Sequence, residues 1–538
     1  MQLTVDIADI VNETTTLEHW LYELLKIAPQ PDPLVVFQQA SIELNVSTQF
    51  FIRGAVQLTR QLLNSAGIPY FQTVSVVNTA RNTEGKLSID VSLPVAAHIS
   101  RSKFHGAFET AVRLCKQMLE TAPDQTNRLA LNEHLEKNIL PKLKRGISAG
   151  TATSPTLLAA QASGIPTFHL GMGIYSLGIG SKQRLISNSV SENDSVIGAR
   201  IAGDKWVTAS LLSKAGLPIP LHRLITDSAQ ANDAANQIGW PVVVKPVDGE
   251  RGEGVTTRID NAEKLEKAVE LAFKESKRQR VIIEQQVEGI AHRLFIVNGQ
   301  LLYAFKRLPI TVTGNGSDTI AVLAENAYKA EQLKPVWARI KRPPLDELAL
   351  EYIAQIGLKP ETVPRRGECV ALRAIESTAS GGVDEDVTAI IHPDNVAIAL
   401  QAAKTIGLET AGVDVICENI AEPWWRGDAV INEINYQPQL GGRPMSRDYV
   451  PTFISHYLPD GGMIPIETFA ANEAEPAARQ LAEWQASGLN AALLNSESGE
   501  ISWGDNRAVA PSLLKGRQQL RALLLNRQLD ALAIVGEL

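Results

Sequence analysis

The chain has 538 residues, of which 44% are hydrophobic and 20% charged, with a formal net charge of −8. This composition is ordinary for a globular protein with several cores and excludes a disordered chain. It also argues against nucleic acid as a partner, because polyanion binders carry a basic excess.

Residues 1 to about 160 read as a first unit. "PLVVFQQASIEL" and "KLSIDVSLPV" have the β-branched content and alternation of strands, and "FHGAFETAVRLCKQMLETA" has helical apolar spacing. His98, His105 and His134 are scattered without ligand spacing and are expected to be surface or core histidines. A second unit, 161–458, begins near "GIPTFHLGMGIYSLGIGSKQRLI". Within it a helix opens after Gly203-Asp204, stops at Ala215-Gly216 and leads through two prolines into a strand. A helix over 228–238, the strand "WPVVVKPVDG", the amphipathic "AEKLEKAVELAFKES" and the strand "QRVIIEQQV" follow. The strands of "AHRLFIVNGQLLYAFKRLP" should turn at Asn298-Gly299. Then come a helix in "PPLDELALEYIAQIG", the strand "ECVALRAIE", a helix over 393–406 and the strands "AGVDVICEN" and "DAVINEINY". A break at "YLPDGGM" leaves 459–538 as a third, short unit.

Cys115, Cys369 and Cys417 form no CxxC pair and are expected to be buried thiols, with neither zinc nor a disulfide framework. The N-terminus lacks a basic region followed by an apolar run, and no stretch of about 18 apolar residues occurs. A cytoplasmic setting and no membrane partner are expected.

Chemistry concentrates in the second unit. In "VVVKPVDGERGEGV" a buried strand delivers Lys245 to a loop holding Gly249, Gly252 and Gly254. Glycines let backbone N–H groups approach phosphate oxygens, and Lys245 adds a charge beside them. The stretch is neither a P-loop nor a GxGxxG, and a hairpin with a Gly-rich turn is the alternative. Lys205, at a helix start, is either a second phosphate grip or a solvated surface residue. "VIIEQQVEG" runs an apolar strand into Glu284 and Val287. There the backbone can meet an adenine edge and the Glu a ribose hydroxyl, or the segment is merely a polar strand end. "AGVDVI" carries Asp414, and "VINEINY" carries Glu433 and Asn435 on one strand face. Such hard oxygen donors suit Mg²⁺; the alternative is a salt bridge to Arg373 or Arg307.

The order Lys205, Lys245 with its Gly-rich loop, Glu284, Asp414 and Glu433-x-Asn435 resembles that of ATP-grasp enzymes, and most of all cyanophycin synthetases. Similar stretches are "DKWVTASLLSKAGLPIP", "PVVVKPVDGERGEGVTT", "HRLFIVNGQLLYAFKRLP", "GNGSDTI", "ASGGVDEDVT", "IHPDN" and "IGLETAGVDVI", across roughly 160–450. The resemblance implies an α/β (α+β) architecture: an ATP-grasp ligase domain after an N-terminal α/β domain, with a short Mur-ligase-like remnant at the C-terminal end. It implies ATP and Mg²⁺ as cofactors and a carboxylate joined to an amine through an acyl-phosphate. Arg373 and Arg307 would then neutralise the transferring phosphoryl group. His292, Arg293, the Ser380-Gly381-Gly382 turn and Arg443 would lie on the substrate side. Partners would be an amino acid, dipeptide or peptide polymer, and the assembly a homo-oligomer, dimer or tetramer.

Departures from the family fall near substrate. Where the family has Asn-Ala-x-Pro-Gly after the metal Glu, this chain has "NYQPQLGGRPMSRDYV"; its "NLSTGG"-like segment is "ESTASGG"; and Ala291 replaces an acid before His292-Arg293. Arg443 and Arg447 follow the metal strand, as carboxylate clamps or as solvated surface residues. The tail lacks the Gly-x-x-Gly-Lys-Thr loop of Mur-like domains, which resembles the second type of cyanophycin synthetase, polymerising preformed β-aspartyl-arginine. Two further readings stay open: a ligase of small amino acids or dipeptides of the glutathione or D-alanine type, and a non-catalytic ATP-binding partner of a full-length synthetase.

Overall fold

A computed structural model describes residues 2–7, 14–25, 35–37, 44–70, 74–81, 87–96, 99–147, 150–249, 253–339, 345–373, 382–503 and 514–537. His98, Gly252, Ser380 and Gly381 lie outside them.

The N-terminal strands β1 (Gln2–Ile7), β2 (Val35–Phe37), β3 (Val74–Arg81) and β4 (Leu87–Ser92) form a sheet of order β1-β4-β3-β2, parallel only between β2 and β3. Helices α1 (Thr15–Leu25), α2 (Val46–Ser65) and α3 (Arg101–Glu120) bury Trp20, Phe51, Leu58 and Phe104 with Val76 and Val91. The α3 periodicity expected from sequence buries Phe104, Phe108, Ala111 and Cys115 along one stripe. Helix α4 (Gln125–His134), a π-helical turn and α5 (Leu140–Lys144) close the unit.

Helix α6 (Thr153–Ala162) was read with the first unit, yet Leu157 and Ala160 join the core of Phe295, Phe453 and Tyr457 in the second. After it, β5 (Thr167–Gly171), β6 (Ile174–Leu177), β7 (Arg184–Ser187) and β8 (Val190–Ser191) make an antiparallel meander, followed by α7 (Val196–Ala202) and α8 (Lys205–Lys214).

Two antiparallel sheets then face each other. The first holds β9 (His222–Ile225), β10 (Val242–Pro246), β11 (Thr256–Ile259) and β12 (Val281–Gln285) in the order β11-β10-β12-β9. Helices α9 (Ala231–Ile238) and α10 (Ala262–Glu275) pack on it through Ala235, Leu265, Val269, Val244 and Ile283. Asn261 caps α10 by accepting from Lys264 N–H at 3.0 Å.

The second holds β13 (Ile290–Val297), β14 (Gln300–Leu308), β17 (Val383–Asp386), β18 (Thr410–Cys417) and β19 (Val430–Tyr436) in the order β17-β14-β13-β18-β19. The β13–β14 hairpin turns at Asn298 and Gly299, both at positive φ (47° and 71°), as expected of an Asn-Gly turn. Between β14 and β17 lies an insert of β15 (Thr311–Thr313), α11 (Ile320–Leu333), α12 (Glu347–Gln355) and β16 (Cys369–Ala371). Among its bonds to the N-terminal unit, Asn132 donates to Gln332 and Lys334 carbonyls, Trp337 Nε1 to Leu24 O, and Arg339 pairs with Glu136.

One face of the five-stranded sheet packs Leu294, Ile296, Val413 and Val415 under α13 (Pro393–Ile406). The opposite face is apolar at one end, where Phe295, Tyr303 and Phe305 meet Phe453 and Tyr457. Those last two belong to α15 (Val450–Tyr457), which follows α14 (Pro444–Asp448). The same face is charged at its other end, and that end forms the site.

The C-terminal strands β20 (Ile466–Phe469), β21 (Ala491–Asn495), β22 (Ile501–Trp503) and β23 (Ala531–Val535) form the sheet β20-β23-β21-β22, with β20, β23 and β21 parallel. Helices α16 (Ala474–Ala486) and α17 (Arg517–Leu524) accompany it. The unit docks on the meander: Ser181 N–H donates to Leu529 O at 2.7 Å, and Ile179 packs with Ile464 and Leu532. Among the described residues no helix is long and apolar enough to cross a membrane.

Candidate active site

Helix α8 starts where it does because Asp204 caps it, accepting from Val207 N–H at 3.1 Å while pairing with Arg278 at 2.6 Å and Arg280 at 3.3 Å. Lys205 is therefore the first helical residue. Its backbone N–H bonds Val247 O at 2.9 Å and its Nζ donates to Gly249 O at 2.5 Å, which ties the helix start to the glycine loop. Gly254 holds that loop at φ +69°, a conformation L side chains rarely adopt.

Lys245 emerges from β10 into nearly complete burial. Its Nζ lies 2.5 Å from Glu284 Oε2 on the adjacent strand β12 and donates to Asn432 Oδ1 at 3.4 Å. Glu284 is thus the counter-ion of Lys245, a pairing the sequence reading of Glu284 as a ribose ligand did not include. An unpaired buried ammonium would be costly, and this pairing fixes the side chain in place.

A cavity of about 260 Å³ opens between the two sheets. Helix α8 supplies Lys205; the first sheet and its loops supply Lys245, Gly249 and Glu284–Val287; the second sheet supplies Ile416, Asn432 and Glu433. Asn432 was missed by sequence reasoning. It is the extra residue of a β-bulge: Asp414 pairs with Glu433 while Val415 pairs with Ile431. The bulge brings Asn432 and Glu433 together onto the cavity wall. The available signal was a second Asn beside Glu433 in an otherwise apolar strand.

Asp414 is clamped. Arg293 Nε and one terminal nitrogen each lie 2.6 Å from its two oxygens, and Arg307 approaches at 3.6 Å. Burial pushes the Asp414 carboxyl up, but Arg293 and Arg307 outweigh it and hold the group below the usual carboxylate range. With its amide oriented to satisfy both neighbours, Asn435 accepts from Arg293 at 2.7 Å and donates to Glu433 at 3.2 Å. Of the three expected metal ligands, Asp414 is therefore held by arginine, chiefly by Arg293, with Arg307 of the salt-bridge alternative farther off and Arg373 paired elsewhere. Glu433 and Asn435 remain, and no ion pair involves Glu433 among the described residues. No group of three His, Cys, Asp or Glu side chains among the described residues could hold a metal. The Glu433 carboxylate on the cavity wall, with Asn435 beside it on the same strand face, nonetheless fits Mg²⁺, which takes one or two protein oxygens and completes its shell with phosphate and water.

The remaining expected site residues divide. Arg307 and Arg293 share the charged face. His292, one residue away, points to the opposite face, where it is 2% exposed and its Nδ1 lies 3.5 Å from Cys417 Sγ; burial holds its imidazole below the usual range. It is a core histidine, because successive strand residues alternate faces. Arg373 does not line the cavity and pairs with Asp346, the cap of α12. Arg443 bonds Gly382 O at 3.0 Å and Asp384 at 3.2 Å, and Arg447 donates to Gly441 O. Arg443 is half-buried by these contacts, whereas Arg447 is exposed, as in the surface-residue alternative. His105 and His134 are exposed, as expected. Cys369 is exposed, against the expectation of three buried thiols, because it opens a two-stranded ribbon with its side chain toward solvent.

Residues 202–313 match the RimK-like ATP-grasp domain, and the ATP-grasp fold read from the motif order is borne out. The chain is 34% identical over 338 residues to the cyanophycin synthetase of Geminocystis herdmanii, covering 62% of this chain and 38% of that protein. It is 31% identical over 266 residues to a glutathione biosynthesis bifunctional protein of Mannheimia succiniciproducens, covering 47% and 34%. Among solved structures, the bifunctional glutathione synthetase from Pasteurella multocida aligns with a TM-score of 0.45 at 24% identity, over 67% of this chain and 50% of that one. The chain spans less than two fifths of the length of the cyanophycin synthetases it matches.

Proposed function

We propose that the chain is an ATP-dependent carbon–nitrogen ligase that activates a carboxylate as an acyl-phosphate and transfers it to an amine, in synthesis of cyanophycin or a related polymer from dipeptide units. The observation that carries this reading is the convergence of Lys205, Lys245 and Glu433, from three distant stretches of chain, on one cavity between two sheets.

In this reading Pro220, Val243 and Ile416 flank the purine, and the extended backbone at Gln285–Val287 meets its edge. Lys205, Lys245 and the Gly249 loop grip the triphosphate, with Glu284 fixing Lys245. Glu433, with Asn435 beside it, would hold Mg²⁺, which would supply charge neutralisation for the phosphates. Arg293 and Arg307, oriented by Asp414, face the transferring phosphoryl group. The substrate carboxylate oxygen attacks the γ-phosphorus and ADP leaves; the neutral amine nitrogen then attacks the acyl carbon, phosphate leaves, and the nitrogen gives up a proton to phosphate or water. Both steps draw mainly on positioning and fixed charge. Arg373 contributes only by leaving Asp346. The C-terminal unit carries no Gly-x-x-Gly-Lys-Thr stretch, so one nucleotide site per chain is assigned.

The 31% identity to a glutathione biosynthesis protein favours a second reading, ligation of small amino acids. One assay separates the two and tests both: ADP release over amino acids, dipeptides including β-aspartyl-arginine, and cyanophycin primers. Turnover with primer plus dipeptide supports the first reading, and turnover on free amino acids the second. Glu433→Ala should reduce either at least 10³-fold, on the order of 4 kcal/mol of barrier. No substrate-dependent release above that variant's background rejects both.

A further inference from the structure

Two opposite charges sit as direct cross-strand partners at the outer edge of the charged face yet do not close on each other. Arg307 on β14 pairs in register with Asp384 on β17. Directly opposite side chains start about 5 Å apart, within easy reach of an ion pair. Arg307 instead leans to Asp414 at 3.6 Å, and Asp384 turns to Arg443 at 3.2 Å. Each is left with one buried polar atom lacking a hydrogen-bond partner among the described residues: Nε of Arg307, a donor, and Oδ1 of Asp384, an acceptor. The Asp384 side chain is only 8% exposed. Buried polar atoms are nearly always satisfied, and a purely structural pair would satisfy both atoms by closing.

We propose that Asp384 and Arg307, with Arg443 beside them, form a subsite for a zwitterionic α-amino-acid group on the amine-bearing substrate. Oδ1 of Asp384 accepts from the α-ammonium, and the arginines meet the α-carboxylate. The inference rests on the ligase reading and specifies its amine substrate. Charge bookkeeping supports it: Asp414 is spent on Arg293, so an incoming carboxylate finds guanidinium groups and an incoming ammonium finds one carboxylate oxygen. The aspartyl end of β-aspartyl-arginine carries both groups.

The test uses the full chain with ATP and a cyanophycin primer, and two nucleophiles. β-Aspartyl-arginine presents the zwitterion; hydroxylamine attacks the same acyl-phosphate without it and is read as hydroxamate. Asp384→Asn should raise KM for the dipeptide at least tenfold, while hydroxamate formation falls far less. Asp384→Glu should recover part of the dipeptide affinity, which a defect in folding would not allow. Equal losses with both nucleophiles, or an unchanged dipeptide KM, overturn the subsite. Wild-type protein that yields no hydroxamate overturns the ligase reading itself, and the subsite with it.

Discussion

Replacing Arg293 by Met tests the central electrostatic claim, that Asp414 is held by arginine. The side chain keeps much of its volume but loses two bonds of 2.6 Å to a carboxylate that is 7% exposed. Removing one partner of a buried ion pair strands the other, typically at a cost of about 3–5 kcal/mol. Arg307 remains within 3.6 Å of Asp414, so the lower end, about 3 kcal/mol, is expected. In a multi-unit chain one melting temperature is not a defined stability, so a local readout is required. Hydrogen exchange of β13 and β18 peptides, where exchange follows the opening equilibrium, should accelerate by about two decades. The C-terminal sheet serves as an internal control and should not change. Replacing Asp414 by Leu as well should recover part of the loss, because the stranded carboxylate is gone, though Arg307 then loses its partner at 3.6 Å. An acceleration below about fivefold in the single variant, less than about 1 kcal/mol, would refute the clamp.

Two further outcomes follow from burial. Burial pushes the Cys115 thiol up to about 12 and Cys417 up to about 11, whereas Cys369 is exposed. Native protein near pH 8 should therefore react with a thiol reagent at one site and denatured protein at three; two or more fast native thiols contradict the packing. His292 has its folded pKa lowered by burial, so its contribution to stability is present above the unfolded value of about 6.5 and is lost as pH falls below it. Exchange of β13 peptides should accelerate from pH 7 to pH 5.5 beyond the intrinsic pH effect, and His292→Asn should flatten that dependence. An identical slope in the variant would assign the effect to another group.

Much of the ATP-grasp fold was legible because its signals are local. Apolar runs such as Val242–Val244 and Val281–Ile283 read as strands buried in a core, the Asn298-Gly299 turn fixes a hairpin, and the stripe Leu265, Ala268, Val269, Ala272 gives α10 its buried face. The cavity residues Lys205, Lys245, Gly249, Val287 and Glu433 were legible for a related reason: each stands at the end of, or within, a segment whose type was clear. What escaped was pairing between segments. That Glu284 serves Lys245 depends on β12 lying beside β10. That Cys369 faces solvent depends on β16 having only β15 as a neighbour.

The charged face shows why the substrate end was the harder half. The order β17-β14-β13-β18-β19 sets Asp384, Arg307, Arg293, Asp414 and Glu433 on neighbouring strands, with signs −, +, +, −, −. Asp414 and Glu433 lie on consecutive strands, and alternation alone places them together. Asp384 reaches Arg307 only because β17, which follows the insert, returns to the outer edge of β14, and reaches Arg443 only because the chain past β19 folds back over the sheet. Neither relation leaves a spacing to read. The two inner arginines are balanced chiefly by Asp414, which leaves Glu433 facing the nucleotide cavity without an ion pair among the described residues at one end of the row, and at the other one oxygen of the Arg443-paired Asp384 without a hydrogen-bond partner. An unanswered carboxylate beside a phosphate cavity calls for a metal cation. One beside arginines, outside the lining of that cavity, calls for an organic cation that brings its own carboxylate. That difference in surroundings is what assigns the two ends to different ligands.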